Sequence, residues 1–579
     1  MERTASEIIK SYIYRHKRTL IWGMLAIVIT TIFTMAAPWI LRRAINALET
    51  DVTAGKLIIY ASAIVGATII QSIFRFLMRQ TMIVASRQIE YELRSDLFSH
   101  ILKLDRPYFD NTPTGDIMAR MTNDLLAVRA MVGPGIMHFI STIFTFVVAI
   151  ALMSVINARL TLIAFISLPF ISGLTFIISK EVHKRYAKIQ EQYSTITADV
   201  QENLSGIRVI KAYVQEDNAL KRFGRLNRDY IHKNLDMIRI WGLFFPVIFG
   251  FTGLSIALVL WVGGNQVISG SIKLGDLVAF TAYLMLLMWP MAALGWVMGL
   301  YQRGMASMKR IARILNSSPV IVSPALNAVK KKIQGKIEFK NLEFAYNGKP
   351  VLNNVNLSID TGETIAILGH TGSGKTSLVS LIPRIYPIQK GMLYIDDTDI
   401  NDYDLQSLRS QIGLVAQETI LFSQTIESNI AFGNDAGHSI IEKMTNIAGL
   451  TDDMESFPSG YKTMLGERGI TLSGGQKQRT ALARALAIKP KILILDDAFS
   501  SVDTKTEEQI LKNLRQVFSR CTTIIISHRI STVKDSDMIV VLDDGRIVEA
   551  GSHKQLIAAG GLYNKLYKRQ LLSQELEEL

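Results

Sequence analysis

Apolar and polar positions divide the 579-residue chain into two unlike halves. Up to about residue 302 the chain is dominated by apolar runs, at about 19–42, 57–84, 131–156, 159–180, 241–266 and 276–302. Each is long enough to cross roughly 30 Å of hydrocarbon as a helix. Beyond residue 335, short β-branched runs alternate with glycine-rich turns and charged amphipathic stretches, the pattern of an α/β domain. The expected division is an amphipathic N-terminal helix over 1–18, a six-span transmembrane domain over 19–315, a linker over 316–334 that takes in most of the charged NAVKKKIQGK (Asn327 to Lys336), and an α/β domain over 335–579. The fold class predicted is an all-α six-helix transmembrane domain followed by an α/β domain.

Charge sharpens the topology. The net charge of +13 could suggest nucleic acid, but most basic residues lie between apolar runs, so the positive-inside rule accounts for them and no nucleic-acid partner is expected. Arg15, Lys17 and Arg18 precede the first span, and Lys180 to Arg239 carries twelve Lys or Arg. The links near 157–159 and 270–273 are short and carry few charges, so they face outward and both termini face the cytoplasm. Arg42 and Arg43 break this rule at the end of the first span. The N-terminus lacks the pattern of a cleaved signal peptide, and with six compact spans this favours a bacterial plasma membrane. The single cysteine, Cys521, excludes an internal disulfide and reads as a core thiol.

Two inner segments, about 85–130 and 181–240, are too long for turns and read as charged helices. Each is broken once, at DNTPTGD (Asp110 to Asp116) and at ENLSGIR (Glu202 to Arg208), where a short crosswise helix could meet a soluble domain. Arg75, Arg79 and His138 are the ionisable exceptions within the spans, and such residues point to function. The last span, LMLLMWPMAALGWVMG, is rich in Met and Trp around a helix-kinking Pro290 and suits a cavity for varied apolar ligands.

The chemistry lies in the second half. GHTGSGKT follows a strand and precedes a helix: Gly369, His370, Thr371, Gly372, Ser373, Gly374, Lys375 and Thr376, then Ser377. Such a loop turns backbone amides toward phosphate oxygens, while Lys375 reaches the terminal phosphates and Thr376 binds magnesium. KILILDDAFSSVD, from Lys491 to Asp503, is a strand buried on both faces that delivers Asp496 and Asp497 at its carboxyl end, where open α/β sheets place ligands.

With LSGGQ (Leu472, Ser473, Gly474, Gly475, Gln476), SSVD (Ser500, Ser501, Val502, Asp503) and His528 in the same order, the sequence resembles the ABC transporters over essentially its whole length. The six-span half resembles the exporter type. The resemblance implies ATP and Mg2+ as cofactors, and an ATPase coupled to transport. It implies adenine stacking on Tyr346, a Q-loop Gln417 that contacts magnesium or water, and a Walker B Asp496 that holds the ion with Thr376 and Gln417. It also implies a switch His528, LSGGQ completing the ATP site of a second chain, and GERG (Gly466 to Gly469) as a loop touching the intracellular arms, whose breaks become coupling helices.

One residue departs from the family pattern. The residue after the Walker B aspartate is normally the glutamate that polarises the attacking water, and here it is Asp497. The expected outcome is a slow, degenerate ATP site in this chain and an intact LSGGQ that serves a partner. That reading describes a half-transporter in a heterodimer, exporting apolar or amphipathic compounds. The alternatives left open are a homodimeric exporter or lipid flippase, and an ATP-gated channel.

Overall fold

The computed structural model describes residues 3–49, 53–166, 168–324, 328–434, 436–466, 469 and 472–578. It divides into two compact units, Met1–Lys103 with Thr112–Ser317, and Leu104–Asn111 with Ser318–Leu579.

The first unit is helical. Helix α1 (Ala5–Arg15) starts at a Thr4/Glu7 capping box and buries Ile8, Ile9 and Tyr12. It is followed by α2 (Lys17–Leu48) and α3 (Ala54–Ile101). Helix α1 is tied to α3 by Tyr12, whose hydroxyl donates to Asp96 at 2.6 Å, and by His16, 2.9 Å from Glu92. At 48 residues α3 is about 70 Å long, far more than a bilayer needs, so its second half continues as an arm. The first span was expected to end at 42, but α2 continues to Leu48. Arg42 is tolerated there because it pairs with Asp276 and stacks 4.6 Å from the Trp39 ring centroid.

After α4 (Arg106–Asp110), which belongs to the second unit, come α5 (Thr114–Ala119) and α6 (Leu125–Ala130), with π-helical turns at Arg120–Asp124 and Met131–Gly135. Then α7 (Ile136–Phe165) leaves helical geometry at Asn157, whose side chain accepts from the Leu160 amide at 2.9 Å and so restarts the helix. That break separates the third and fourth expected spans. The fourth runs on into α8 (Leu168–Ser205), in a region that partly lies outside the described residues. The remaining helices are α9 (Ile207–Ala212), α10 (Glu216–Trp241), α11 (Phe244–Ile268) and α12 (Leu274–Asn316), the last unbroken through Pro290. Among the described residues five helices are long and apolar enough to cross a membrane.

Charges in the arms are paired where they are buried. Glu90, 5% exposed, accepts from Arg94 at 2.6 Å and Arg87 at 3.0 Å. Asp124 accepts from Ser307 and from Arg310 Nε, both at 2.8 Å, joining the π-helical turn to α12.

The second unit holds two sheets. Strands β1 (Ile337–Tyr346), β2 (Lys349–Ile359), β4 (Leu393–Ile395) and β5 (Thr398–Asp399) form an antiparallel sheet in the order β2-β1-β4-β5. Strands β3 (Thr364–Leu368), β6 (Ile412–Val415), β7 (Ile492–Asp496), β8 (Thr522–Ile526), β9 (Met538–Asp543) and β10 (Arg546–Gly551) form the other, in the order β10-β9-β3-β8-β7-β6. From β9 to β6 this sheet is parallel, and β3, β7 and β8 are nearly or wholly buried along their length, as their continuous apolar runs require.

Cys521 lies in that core at 2% exposure, where burial pushes its thiol up. Much of the segment read as linker is folded onto this unit. Val329 bridges Tyr403, Ile333 is buried, and Asp396 accepts from the amides of Gln334, Gly335 and Lys336 at 2.6 to 3.0 Å.

At the first break in the inner arms the short helix is α4, which lies before the quoted DNTPTGD and shares only Asp110 with it. Asp110 at its end accepts from the Tyr386 hydroxyl at 2.8 Å and from Arg106 at 2.7 Å, and Asp105 accepts from the Ile321 amide at 2.9 Å. Those contacts are why residues 104–111 cluster with the second unit. At the second break, α8 ends at Ser205 and α9 follows with no buried residue.

Candidate ATP site

The parallel sheet explains how distant residues come to share one edge. Strands β3, β8, β7 and β6 are consecutive neighbours, and past their carboxyl ends lie the P-loop, His528, Asp496 with Asp497, and Gln417 respectively.

After β3, Gly369 adopts φ 154° and Gly374 φ 100°, and the loop leads into α13 (Lys375–Leu381). A Cβ at Gly369 would lie 2.0 Å from the backbone oxygen of Leu542 on β9, which a neighbour cannot relieve by rotating a side chain. At Gly372, with φ 87°, a Cβ meets nothing within 4 Å. Gly369→Ala is therefore expected to unfold the ATP-binding domain or lower its melting temperature by ten degrees or more, whereas Gly372→Ala costs only the roughly 1 to 2 kcal/mol of a left-handed alanine. Thermal unfolding of the two variants checks this contrast.

Lys375 is 6% exposed, and its ammonium donates to the carbonyls of Gly369 at 2.8 Å and His370 at 2.9 Å. Burial pushes the ammonium below its usual range, while Asp497 and Asp496 hold it up. The lysine is thus stored against its own loop, close to where phosphate would draw it out.

Asp496 is 2% exposed; one of its oxygens has no partner, and Thr376 bonds the carboxylate. Burial pushes its carboxyl up, the Thr376 hydrogen bond opposes this, and neighbouring Asp497 adds to the rise. A buried carboxylate with a free lone pair beside a threonine hydroxyl fits Mg2+, which binds through one or two protein oxygens plus substrate phosphates. Thr376, Asp496 and Gln417 are the residues that would hold it, and the bound ion would neutralise phosphate charge. Because the folded group titrates above the unfolded one, the stability linked to its protonation is complete at low pH and lost as pH rises through the raised value. The ionised group therefore costs stability at neutral pH, and Asp496→Asn is expected to melt higher than the native chain without magnesium while losing magnesium-dependent hydrolysis. Calorimetry with and without Mg2+ reads both effects.

Asp497 lies at φ 47°, a left-handed backbone that aspartate tolerates better than most residues. Its carboxylate is 9% exposed, 3.4 Å from Nε2 of His528 and 3.5 Å from the Gln417 amide nitrogen. Both separations are long for hydrogen bonds. Tyr346 ends β1 at the Asn347-Gly348 hairpin, where both φ values are positive as a two-residue turn demands. Its hydroxyl donates to Ser377 at 3.1 Å, and its half-buried ring packs edge-on against Tyr386 at 5.0 Å and Phe344 at 4.8 Å.

The signature forms a helix N-terminus. Ser473 caps the helix Gly474–Ala487 in a box with Gln476, and Gly475 packs so closely that a Cβ would sit 2.9 Å from the Ser501 carbonyl. Asp503 caps Thr504–Phe518. Among the described residues no hydrogen bond joins LSGGQ to the P-loop. In the GERG stretch, Glu467 and Arg468 lie outside the described residues.

Gln478 was not anticipated. Buried at 5% exposure, it donates to the Ser500 hydroxyl at 2.7 Å and the Asp497 carbonyl at 3.3 Å, and accepts from the Ser501 amide at 2.9 Å. It pins the signature helix to the loop after β7. Its only signal in the sequence is an amide two residues beyond LSGGQ. Tyr386 was also missed, since nothing local distinguishes an aromatic that holds both Tyr346 and Asp110.

Comparison with known proteins identifies the family. Residues 20–291 match the ABC transporter transmembrane region, and residues 352–500 match the ABC transporter family. The chain is 36% identical over 546 residues to the probable multidrug resistance ABC transporter ATP-binding/permease protein YheI of Bacillus subtilis (strain 168), covering 93% of each. It is 34% identical over 557 residues to an ATP-dependent lipid A-core flippase of Syntrophus aciditrophicus (strain SB), covering 96% of this chain and 93% of the relative. A bacterial Atm1-family ABC exporter with ATP bound superposes with a TM-score of 0.81 at 27% identity, over 96% of this chain and 99% of that one. A helical membrane domain and a P-loop edge of this kind in one polypeptide make the chain a member of the ABC transporter family, an exporter-type membrane protein whose fused ATP-binding domain is an ATPase coupled to transport.

Proposed function

We propose that the chain is one half of an ATP-driven exporter of amphipathic compounds, embedded in the bacterial inner membrane with both termini cytoplasmic, and that its partner is a second half-transporter carrying glutamate where this chain has Asp497. The observation that carries the reading is the aspartate itself. Held at a fixed left-handed backbone, it reaches its neighbours only at 3.4 and 3.5 Å. A general base works within about 2.6 to 3.2 Å of its water. Removing one methylene withdraws a carboxylate by roughly 1.5 Å.

The intact cap geometry of Ser473, Gly474 and Gly475 supports the complementary half of the reading, in which LSGGQ clamps the ATP bound by the partner. Tyr346 takes the adenine, the P-loop and Lys375 the phosphates, and His528 the γ-phosphate end of the slow site. The names of relatives, a multidrug resistance protein and a lipid flippase, both fit an amphipathic substrate.

A homodimer is the second reading, favoured by the way Asp497, His528 and Gln417 converge within a single chain. Export is tested in inside-out vesicles: ATP-dependent accumulation of an amphiphilic dye supports a pump, and a nucleotide-dependent conductance without accumulation contradicts it.

A further inference from the structure

His528 is placed by its backbone, because little holds its ring. It stands in the turn between β8 and the short helix Ile530–Val533, half exposed, with Nε2 3.4 Å from the Asp497 carboxylate, too far for a firm hydrogen bond. One flank of the turn is braced by its neighbours. The Ser527 hydroxyl accepts from the Arg529 amide at 3.0 Å, and the Arg529 guanidinium donates to the Val502 carbonyl at 3.1 Å and to the Glu507 carboxylate. Glu507, 2% exposed on the helix Thr504–Phe518, also accepts from the Thr532 hydroxyl.

The other flank is held by a residue 40 positions further along the chain. The side-chain amide of Gln570 donates to the His528 carbonyl at 3.3 Å and accepts from the Ile530 amide at 2.8 Å. One planar group therefore spans Arg529 and fixes the backbone on both sides of it. Ile530 opens its helix, so its N–H has no partner within that helix and Gln570 supplies one.

Gln570 is itself held at a set distance from the sheet. It lies on the helix Leu562–Glu578, whose first amides, those of Leu562 and Tyr563, donate to the Glu549 carboxylate on β10, the second at 3.0 Å. A Cβ at Gly561 would lie 2.0 Å from that carboxylate, so the helix can start there only on glycine. Tyr563 is fully buried with its hydroxyl 2.6 Å from Nδ1 of His553, and the His553 ring packs edge-on against Tyr567 at 5.5 Å. Tyr563, Tyr567 and Gln570 follow one another at helical spacing, so one face of the helix carries both the anchors and the amide that meets the turn.

We propose that Gln570 is a positioning residue for ATP hydrolysis, holding the His528 backbone so that the imidazole is aimed at the γ-phosphate, with the helix Leu562–Glu578 as the splint between β10 and that turn. The proposal deepens the reading of His528 as the group at the γ-phosphate end and rests on it. The imidazole hangs from the peptide that Gln570 fixes, so a shift of that peptide is passed to its ring nitrogens. Misplacement on the order of 1 Å costs about a hundredfold in rate.

The test uses the purified full chain in nanodiscs, with single-turnover release of γ-phosphate from Mg-ATP, since that readout also registers slow sites. Gln570→Leu is expected to slow release about tenfold while ATP affinity stays within about twofold, the signature of a contact that matters after binding. Added to His528→Ala, the same change should cost less than about twofold, because residues that act through one another are not additive. Gln570→Glu keeps the shape of the side chain and an acceptor for Ile530 but sets a carboxylate oxygen against the His528 carbonyl. It should also slow release, with an unchanged melting temperature. Native release in both Gln570 variants overturns the proposal. So does an equal slowing by Gln570→Leu with and without His528, since the damage would then bypass the histidine.

Hydrogen exchange separates failure of the proposal from failure of the reading beneath it. Gln570→Leu should speed exchange of the Ile530 amide about tenfold, and native exchange there overturns the clasp whatever the rates. If His528→Ala releases phosphate at the native rate, the reading of His528 fails and the positioning role falls with it. If His528→Ala is slow and Gln570→Leu is not, the reading stands and the positioning role alone is overturned.

Discussion

Asp497→Glu is expected to raise the ATP turnover of the purified chain alone by about a hundredfold while leaving its affinity for ATP nearly unchanged. Acidity cannot be responsible, because the ordinary pKa values of the two residues differ by only about 0.4. Reach is responsible. The longer side chain moves the carboxylate by roughly 1.5 Å, and misplacement on the order of 1 Å costs about a hundredfold in rate. The left-handed backbone opposes the gain, since φ 47° suits aspartate better than glutamate. That penalty is about 1 to 2 kcal/mol at most, against the roughly 2.7 kcal/mol that a hundredfold in rate represents. It falls mainly on folding stability and not on the reaction barrier, so the rate gain should survive. Steady-state ATPase assays at saturating Mg-ATP read the result, and a variant no faster than the native chain would mean that Asp497 already reaches its water.

Much of this site could be read from the chain because each motif is short and local. GHTGSGKT carries its own glycines and helix start, and the run Ile492 to Leu495 announces a strand buried on both faces. Six apolar runs likewise announced a membrane domain, since a bilayer imposes length and composition directly on sequence. Residues that act across distance were not legible. Gln478 matters only because the fold lays the signature helix against the loop after β7, and Tyr386 only because it meets both Tyr346 and Asp110.

Arg42 looked misplaced by charge counting, because its partner Asp276 lies 234 positions away. The stretch before β1 looked like a linker because its lysines face solvent, whereas what binds it is its own amides donating to the Asp396 carboxylate and a backbone bridge from Val329 to Tyr403. The left-handed backbone of Asp497 also leaves no mark in the one-dimensional pattern, although it sets how far the carboxylate can extend.

The central claim is that this chain's signature serves a fast ATP site while its own aspartate serves a slow one. Ser473→Ala and Asp497→Asn, compared in the assembled transporter, separate those two roles. Ser473 caps the helix that would clamp a partner's γ-phosphate, and its loss removes a charge-assisted contact as well as a cap. The account predicts that Ser473→Ala lowers steady-state hydrolysis more than tenfold while Asp497→Asn lowers it less than twofold. Equal losses in the two variants would contradict it, because both residues would then be serving the same working sites.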